Sequence, residues 1–390
     1  MPRRIIHDMM TAEASPRAQT LFLAAAFVSL AAWAVAERLA PPEAVPWTPQ
    51  MRAAAERMGE ALTASRQFRE NSGLPLDAAL DPNRTGLIGP EYEELFTTLG
   101  NLEAKRTTTN PDVAALLVHL LERAGVGDGD TVAVGASGSF PALLVATLTA
   151  TEALGAHPVA ILSLGASSYG ATDPDFDLLH IHELLVERGV IRTLPAAVSL
   201  GGSGDAGKDF EPDTRERLIA RVRGSGVPFV SEADRRRSVL RRMEDYGMEA
   251  GARREADRAG RPPVSAFINV GGADANIGTS PTVLSLRPGL LDAVDVPLPA
   301  EAQRGVLHEM AASGVPVIHL LDVRTLARRH GLPWDPLPLP TAGTTRLIRG
   351  DEGRQPVLLA IAGTWLAAMV VLAAAGVMIP KRSRETPTLP

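Results

Sequence analysis

The chain of 390 residues has no cysteine. Disulfides, cysteine-ligated zinc and a thiol nucleophile are therefore excluded. A surplus of positive charge is missing too. The formal net charge is −6; the first 37 residues carry three basic and three acidic groups and the last 35 carry three and one, which leaves residues 38–355 at −8. A portion this acidic has no general attraction for polyanions, so no nucleic-acid partner is expected. Any anionic ligand has to be held by a local arrangement of donors.

Charge is absent altogether from two stretches. Thr20–Ala36 (TLFLAAAFVSLAAWAVA) has none in 17 residues, and Pro356–Ile379 (PVLLAIAGTWLAAMVVLAAAGVMI) has none in 24. A helix needs about 20 apolar residues to cross the hydrocarbon core, so both are expected to span a membrane and to contact the lipid bilayer. Arg3, Arg4 and Arg17 precede the first, and Lys381, Arg382 and Arg384 follow the second. The positive-inside tendency then places tails 1–19 and 380–390 in the cytoplasm and residues 37–355 outside, at a bacterial inner membrane. Arg346, Arg349 and Arg354 work against that orientation. Ala34-Val35-Ala36 also fits a cleavage site, which leaves a removed signal peptide as the alternative for the first segment. The nineteen residues before the apolar run are long for a signal n-region.

Between the apolar segments the pattern alternates. Proline-rich stretches at 41–50 and 333–342 read as stiff linkers. Apolar spacing predicts helices over 49–70, 112–124, 141–154, 175–188, 212–223, 231–259, 300–313 and 322–330. Short apolar runs predict strands over 131–134, 158–164, 196–200, 228–230, 265–270 and 315–320. Strands separated by single helices argue for an α/β class. The expected fold is a mostly parallel sheet with helices on both faces (Rossmann-like), flanked by one transmembrane helix at each end. The Arg- and Glu-rich run 231–259 reads as a solvated helix face.

Three small-residue turns follow predicted strands: Gly135-Ala136-Ser137-Gly138-Ser139, Gly165-Ala166-Ser167-Ser168 and Gly271-Gly272-Ala273. Ligands of such sheets bind beyond the carboxyl ends of the strands. Gly135, Ala136, Ser137, Gly138, Ser139, Gly165, Ser167, Ser168, Gly271 and Gly272 are therefore the candidate substrate-binding residues, with exposed amides suited to a carboxylate or phosphate. The first turn approaches the nucleophile-elbow pattern G-x-S-x-G, with Ser139 where the last glycine belongs. It makes Ser137 a candidate nucleophile, with His319 as base and Asp322 to orient it.

Other patterns carry less. Gly202 to Asp209 approaches a phosphate loop, but Asp209 replaces the hydroxyl residue and would repel phosphate; a polar loop is expected. His180-x-His182-Glu183 has close spacing, yet residues i and i+2 diverge on a helix, so no metal site is expected. Asp173, Asp175 and Asp177 read as helix-start residues. No cofactor is expected.

The runs DPNRTGLIGPEYEELFTTLGNLEAKRTTTNPDVAALLVHLL (81–121), DTVAVGASGSFPALLVATLTATEALG, VAILSLGASSYGATDPDF, FINVGGADANIG (267–278) and GVPVIHLLDVRTLARRHGLPWDPLPLP (314–340) resemble the bacterial poly-γ-glutamate system protein family. The resemblance covers most of the portion between the apolar segments. It implies a place beside the machinery that makes and exports an acidic polymer, and it assigns no reaction. The expected partners are poly-γ-glutamate or its chain end and other membrane proteins of that machinery, met by small residues such as Gly363, Ala367, Ala368 and Gly376. Three function classes follow. The first is a noncatalytic accessory component of polymer synthesis or export. The second is a serine-dependent γ-glutamyl hydrolase or transferase that uses Ser137. The third is a cytoplasmic-facing ligand- or nucleotide-binding enzyme.

Overall fold

The computed structural model describes residues 16–39, 44–248, 263–350 and 354–377. Expectations for the tails 1–15 and 380–390, for 40–43, for 249–262, for 351–353 and for the last residues of the second apolar segment lie outside the described residues. The chain divides into two compact units, one holding the chain ends and one spanning Ala44–Arg349.

In the first unit, helices Pro16–Leu39 and Arg354–Val377 are 24 residues each. At 1.5 Å per residue each is about 36 Å long, enough to cross a bilayer of about 30 Å. Both have an 18-residue apolar window, none of it buried. The two helices meet through Trp365, whose Nε1 donates to Ser29 Oγ at 3.0 Å.

In the second unit, helix α1 (Pro49–Ser72) opens on Thr48, whose hydroxyl accepts from Met51 N at 3.2 Å, with Pro49 in the first turn. That is the capping chemistry a helix start needs. Strand β1 (Phe96–Thr98) and helices α2 (Leu102–Thr108) and α3 (Asp112–Arg123) follow. Next come β2 (Thr131–Ser137), α4 (Pro141–Ala153), β3 (His157–Ser163), β4 (Ala166–Ser167), α5 (Leu178–Glu187) and β5 (Ala197–Ser199). The chain continues through α6 (Pro212–Gly224), α7 (Arg235–Asp245), β6 (Ala266–Val270) and α8 (Asp274–Ile277). It closes with β7 (Gly289–Leu291), α9 (Val306–Ala312), β8 (Val317–Leu320), α10 (Val323–Arg329) and the four-residue α11 (Arg346–Arg349).

The main sheet has six strands in the order β5-β3-β2-β6-β8-β7. All pairs are parallel except β7 with β8. Alternate residues of a strand face opposite sides, and the burial follows that rule. Val132, Val134, Leu162, Ile268 and Ile318 pack with α1, α3, α4 and α5 in one apolar cluster. Ala133, Ile161, Phe267 and Val317 pack with α7, α8 and α9 in a second. The molecule is thus α/β, with a mostly parallel sheet between two helical layers. β1 and β4 form a separate two-stranded parallel sheet.

Three expectations are corrected. The run at 231–259 is not one solvated helix: α7 stops at Asp245, Gly247 turns the chain at φ +72°, and Arg242 and Tyr246 point inward and are buried. The proline-rich stretch 333–342 is a packed strap. Trp334 and Leu339 lie on the core, Arg106 pairs with Asp335 at 2.5 Å, and Asn83 Nδ2 donates to Pro336 O at 2.9 Å. The described part of the first proline-rich stretch is also packed, through Val45 and Trp47. In both, the aromatic and aliphatic residues between the prolines win, because their burial outweighs the stiffness that suggested a free linker.

Candidate active site

The strand order reverses between β2 and β6. From β2 the chain builds outward to β3 and β5, then returns to the other side of β2 for β6 and β8. Such a switch point leaves a crevice beyond the carboxyl ends of the two central strands. A cavity of about 450 Å³ lies there. Ser137, Ser139 and Phe140 line it from the turn after β2, and Gly272, Ala273 and Asp274 from the turn after β6. Gly165 and Ser167, residues 97–101, Ala104, Lys105, Gly202, Ser203, Asp209, residues 321–324 and Trp334 complete the wall.

The glycines are there because backbone meets backbone. A Cβ on Gly138 would stand 2.5 Å from Leu164 O, and one on Gly165 would stand 2.8 Å from Gly202 N. Gly271 has φ +82°, and a Cβ there would collide with Ser137 Oγ. The three turns are therefore one packed unit around the cavity mouth.

Of the ten candidate binding residues, Ser137, Ser139, Gly165, Ser167 and Gly272 line the cavity. Gly135 and Ala136 instead lie inside β2, where Gly135 makes room for the Asn276 side chain and Ala136 joins the apolar core. Gly138 and Gly271 shape the turns from behind, and Ser168 donates its backbone N–H to Thr98 O at 2.9 Å.

The structure does not assemble Ser137, His319 and Asp322 into a triad. Ser137 Oγ donates to Val270 O at 3.5 Å. His319 Nδ1 lies 3.1 Å from Asn269 Nδ2. Asp322 Oδ1 caps α10 by accepting from Thr325 N at 3.0 Å. In register, His319 pairs with Asn269, and Asn269 pairs with Gly135, two residues before Ser137. Two strand spacings across and two residues along put the backbones about 12 Å apart. Burial, reinforced by His308, pushes the His319 imidazole down to about 4, so it is neutral at pH 7.

The group that sequence reasoning missed is Lys105, on the seven-residue helix α2. Asn101 caps this helix, accepting from Ala104 N at 2.7 Å. Lys105 is buried, and its Nζ lies 2.7 Å from Ser167 Oγ and donates to Ser139 O. The ammonium sits 3.8 Å from the centre of the Phe140 ring. Desolvation pushes it from 10.5 down to about 7. The faint signal in the sequence is Asn101 as a cap followed by Leu102, Ala104, Lys105 and Thr108. On the neighbouring helix α10, the exposed Arg324 stacks on Trp334 at 4.5 Å.

Beneath the cavity lies a buried polar layer. Arg242 pairs with Asp205 at 2.8 Å and also donates to Ser199 Oγ at 2.7 Å, Ser163 Oγ at 3.0 Å and Asn276 Oδ1 at 3.3 Å. Ser163 and Ser199 are register partners at the ends of β3 and β5. Arg242 thereby ties two strand ends to the 202–209 loop and to α8. The loop itself is closed by its own carboxylate: Asp209 accepts from Ser203 N at 2.5 Å and from Ser203 Oγ at 2.6 Å. The Ser203 and Gly204 amides donate to Asp209 and Asp274, and the Asp205 and Gly207 amides to backbone carbonyls.

His180 and His182 diverge as their spacing implies. His180 Nε2 accepts from Arg221 Nε at 3.0 Å, while His182 is buried. Asp173 and Asp177 cap the helical turns that follow them. Among the described residues no group of three His, Asp or Glu could hold a metal.

Chemically, the cavity offers four serine and two threonine hydroxyls, one buried amine near neutrality, one exposed guanidinium and three carboxylates, Asp209, Asp274 and Asp322. Comparison with protein-family models, with curated proteins and with solved structures finds no match to this chain.

Proposed function

We propose that the protein is a membrane-tethered accessory component of poly-γ-glutamate synthesis or export that holds an acidic chain end in the switch-point cavity. The observation that carries this reading is Arg324 on the wall of a serine-lined crevice of about 450 Å³, whose carboxylates Asp209, Asp274 and Asp322 each accept from a backbone amide. That volume suits a compact ligand and not a long polymer track. One terminal γ-glutamyl residue or two matches the size, with Arg324 as the charged donor to a carboxylate. The order of strands around β2 suits a Rossmann-like, doubly wound sheet. The two apolar helices are the anchor, with the α/β unit outside a bacterial inner membrane and further membrane proteins of the polymer machinery as neighbours.

The test uses the full chain in lipid nanodiscs and labelled γ-glutamyl oligomers. Saturable binding is expected, weakened about tenfold in Arg324→Ala, as loss of one charge-assisted contact of about 1.4 kcal/mol requires. Absence of saturable binding by the unaltered chain would refute the reading.

A further inference from the structure

Lys105 poses a physical problem. It is 2% exposed, and desolvation is the one influence that perturbs it. A buried ammonium without a counter-charge is costly. Its surroundings make sense when the amine is neutral. A neutral amine has two N–H bonds and one lone pair. One N–H then serves Ser139 O, and the lone pair is free to accept from the Ser167 hydroxyl, whose oxygen lies 2.7 Å from Nζ.

Ser167 is held as firmly as its partner. Its residue is on β4, and its backbone N–H donates to Ser139 Oγ at 3.0 Å. Gly100 leaves the space that both side chains need: a Cβ there would be 3.1 Å from Ser167 Oγ and 3.2 Å from Lys105 Cε. Both Ser167 and Lys105 line the cavity. Ser137, by contrast, has a backbone carbonyl as its partner and no base.

We propose that Ser167 is a nucleophile and Lys105 its general base, a Ser–Lys pair that hydrolyses the amide bond of an acidic chain end held in the cavity. This rests on the binding reading above and adds a reaction to it. In the first half, Ser167 Oγ bonds to the amide carbonyl carbon while its proton moves to Lys105 Nζ. The C–N bond breaks as that proton passes from Nζ to the departing amine nitrogen. The acyl group remains as an ester on Ser167. In the second half, water attacks the ester carbon and gives a proton to Nζ. The C–O bond to Ser167 breaks, and Nζ returns the proton to Oγ. One amide and one water become one carboxylic acid and one amine, with no redox change. An amine near neutrality fits both halves, since it accepts and returns a proton at comparable cost. The same pair of residue types replaces the histidine triad in other serine enzymes. Arg324, on α10 beside the helix that carries Lys105, selects substrates that carry a carboxylate near the scissile bond.

The experiment incubates the full chain in nanodiscs with γ-glutamyl oligomers. It follows length by mass spectrometry and binding in parallel, and treats a second sample with a fluorophosphonate. The expected result is shortening from the chain end, with a rate that rises with pH through about 7. It falls about 10²–10⁴-fold in Ser167→Ala and in Lys105→Arg, while Ser167→Ala still binds the oligomer. The fluorophosphonate is expected on Ser167. Binding without shortening and without phosphonylation would overturn the Ser–Lys pair and leave the binding reading intact. Phosphonylation of Ser137 in place of Ser167 would overturn the assignment. Failure to bind at all would remove both.

Discussion

Replacing Asp205 by Asn removes one negative charge from the buried polar layer and turns one acceptor oxygen, met by Arg242 and by the Ser199 or Ser238 hydroxyl, into an amide donor. The two side chains are isosteric, and Asn tolerates the left-handed backbone that Asp205 adopts at φ +65°. What remains is the Arg242 guanidinium, whose side chain is 0% exposed, without the carboxylate that now meets it at 2.8 and 3.0 Å. Breaking a buried pair from one side costs about 3–5 kcal/mol. The retained amide oxygen keeps one hydrogen bond to Arg242, so the lower end, about 3 kcal/mol, is expected. For a domain of this size each kcal/mol moves the transition by about 2–4 °C, which gives a fall of about 6–12 °C. The assay is thermal unfolding of the full chain in nanodiscs, followed by intrinsic fluorescence at one fixed scan rate. Adding Arg242→Met removes the stranded charge as well and is expected to recover part of the loss, because the net worth of a buried pair against apolar residues is small. A fall below about 2 °C for Asp205→Asn would show that Arg242 reaches water and that the layer is not dry.

Three further outcomes follow from the same geometry. Stability falls on acidification, because burial pushes His182 and His319 down to about 4. Between about 6.5 and 4 the unfolded chain takes protons that the folded chain refuses, so the contribution is full above 6.5 and lost toward 4; at pH 5 each costs on the order of 2 kcal/mol, read as the transition temperature against pH. Gly138→Ala places a Cβ 2.5 Å from Leu164 O and must displace backbone; a loss of about 1–3 kcal/mol in unfolding experiments is expected, with weaker oligomer binding. Because the chain has no cysteine, Val294→Cys, at a side chain 93% exposed, gives a single label site. A membrane-impermeant maleimide should label it in intact cells, and labelling after lysis alone would reverse the orientation.

The central strands were legible because strands buried on both faces are continuous apolar runs. TVAV, PVAILSL, SAFINV and VPVIHLL stand out between glycines and prolines. The short elements were not. Phe96–Thr98, Ala166–Ser167 and Gly289–Leu291 hold two or three residues each, too few to show a period. Helix α7 was overrun because the charged pattern continues past Gly247, while the buried Tyr246, donating to Val134 O at 2.9 Å, is a tertiary anchor that no local pattern shows. The glycine turns of the site were visible as composition at strand ends. The Ser167–Lys105 contact was not. Serine is common in such turns, and only packing reveals which hydroxyl meets a base. Lys105 lies in a short polar helix, and its chemistry comes from burial by Phe140 and the 165–168 turn.

The measurement that bears most directly on the central claim is photo-crosslinking of a γ-glutamyl oligomer, modified near its terminal residue, to the full chain in nanodiscs, with the linked peptides mapped by mass spectrometry. Crosslinks within 97–105, 137–140 and 321–324, reduced by excess unmodified oligomer, are the predicted result. Competable crosslinks confined to other surfaces would contradict a chain-end site at the β2–β6 switch point.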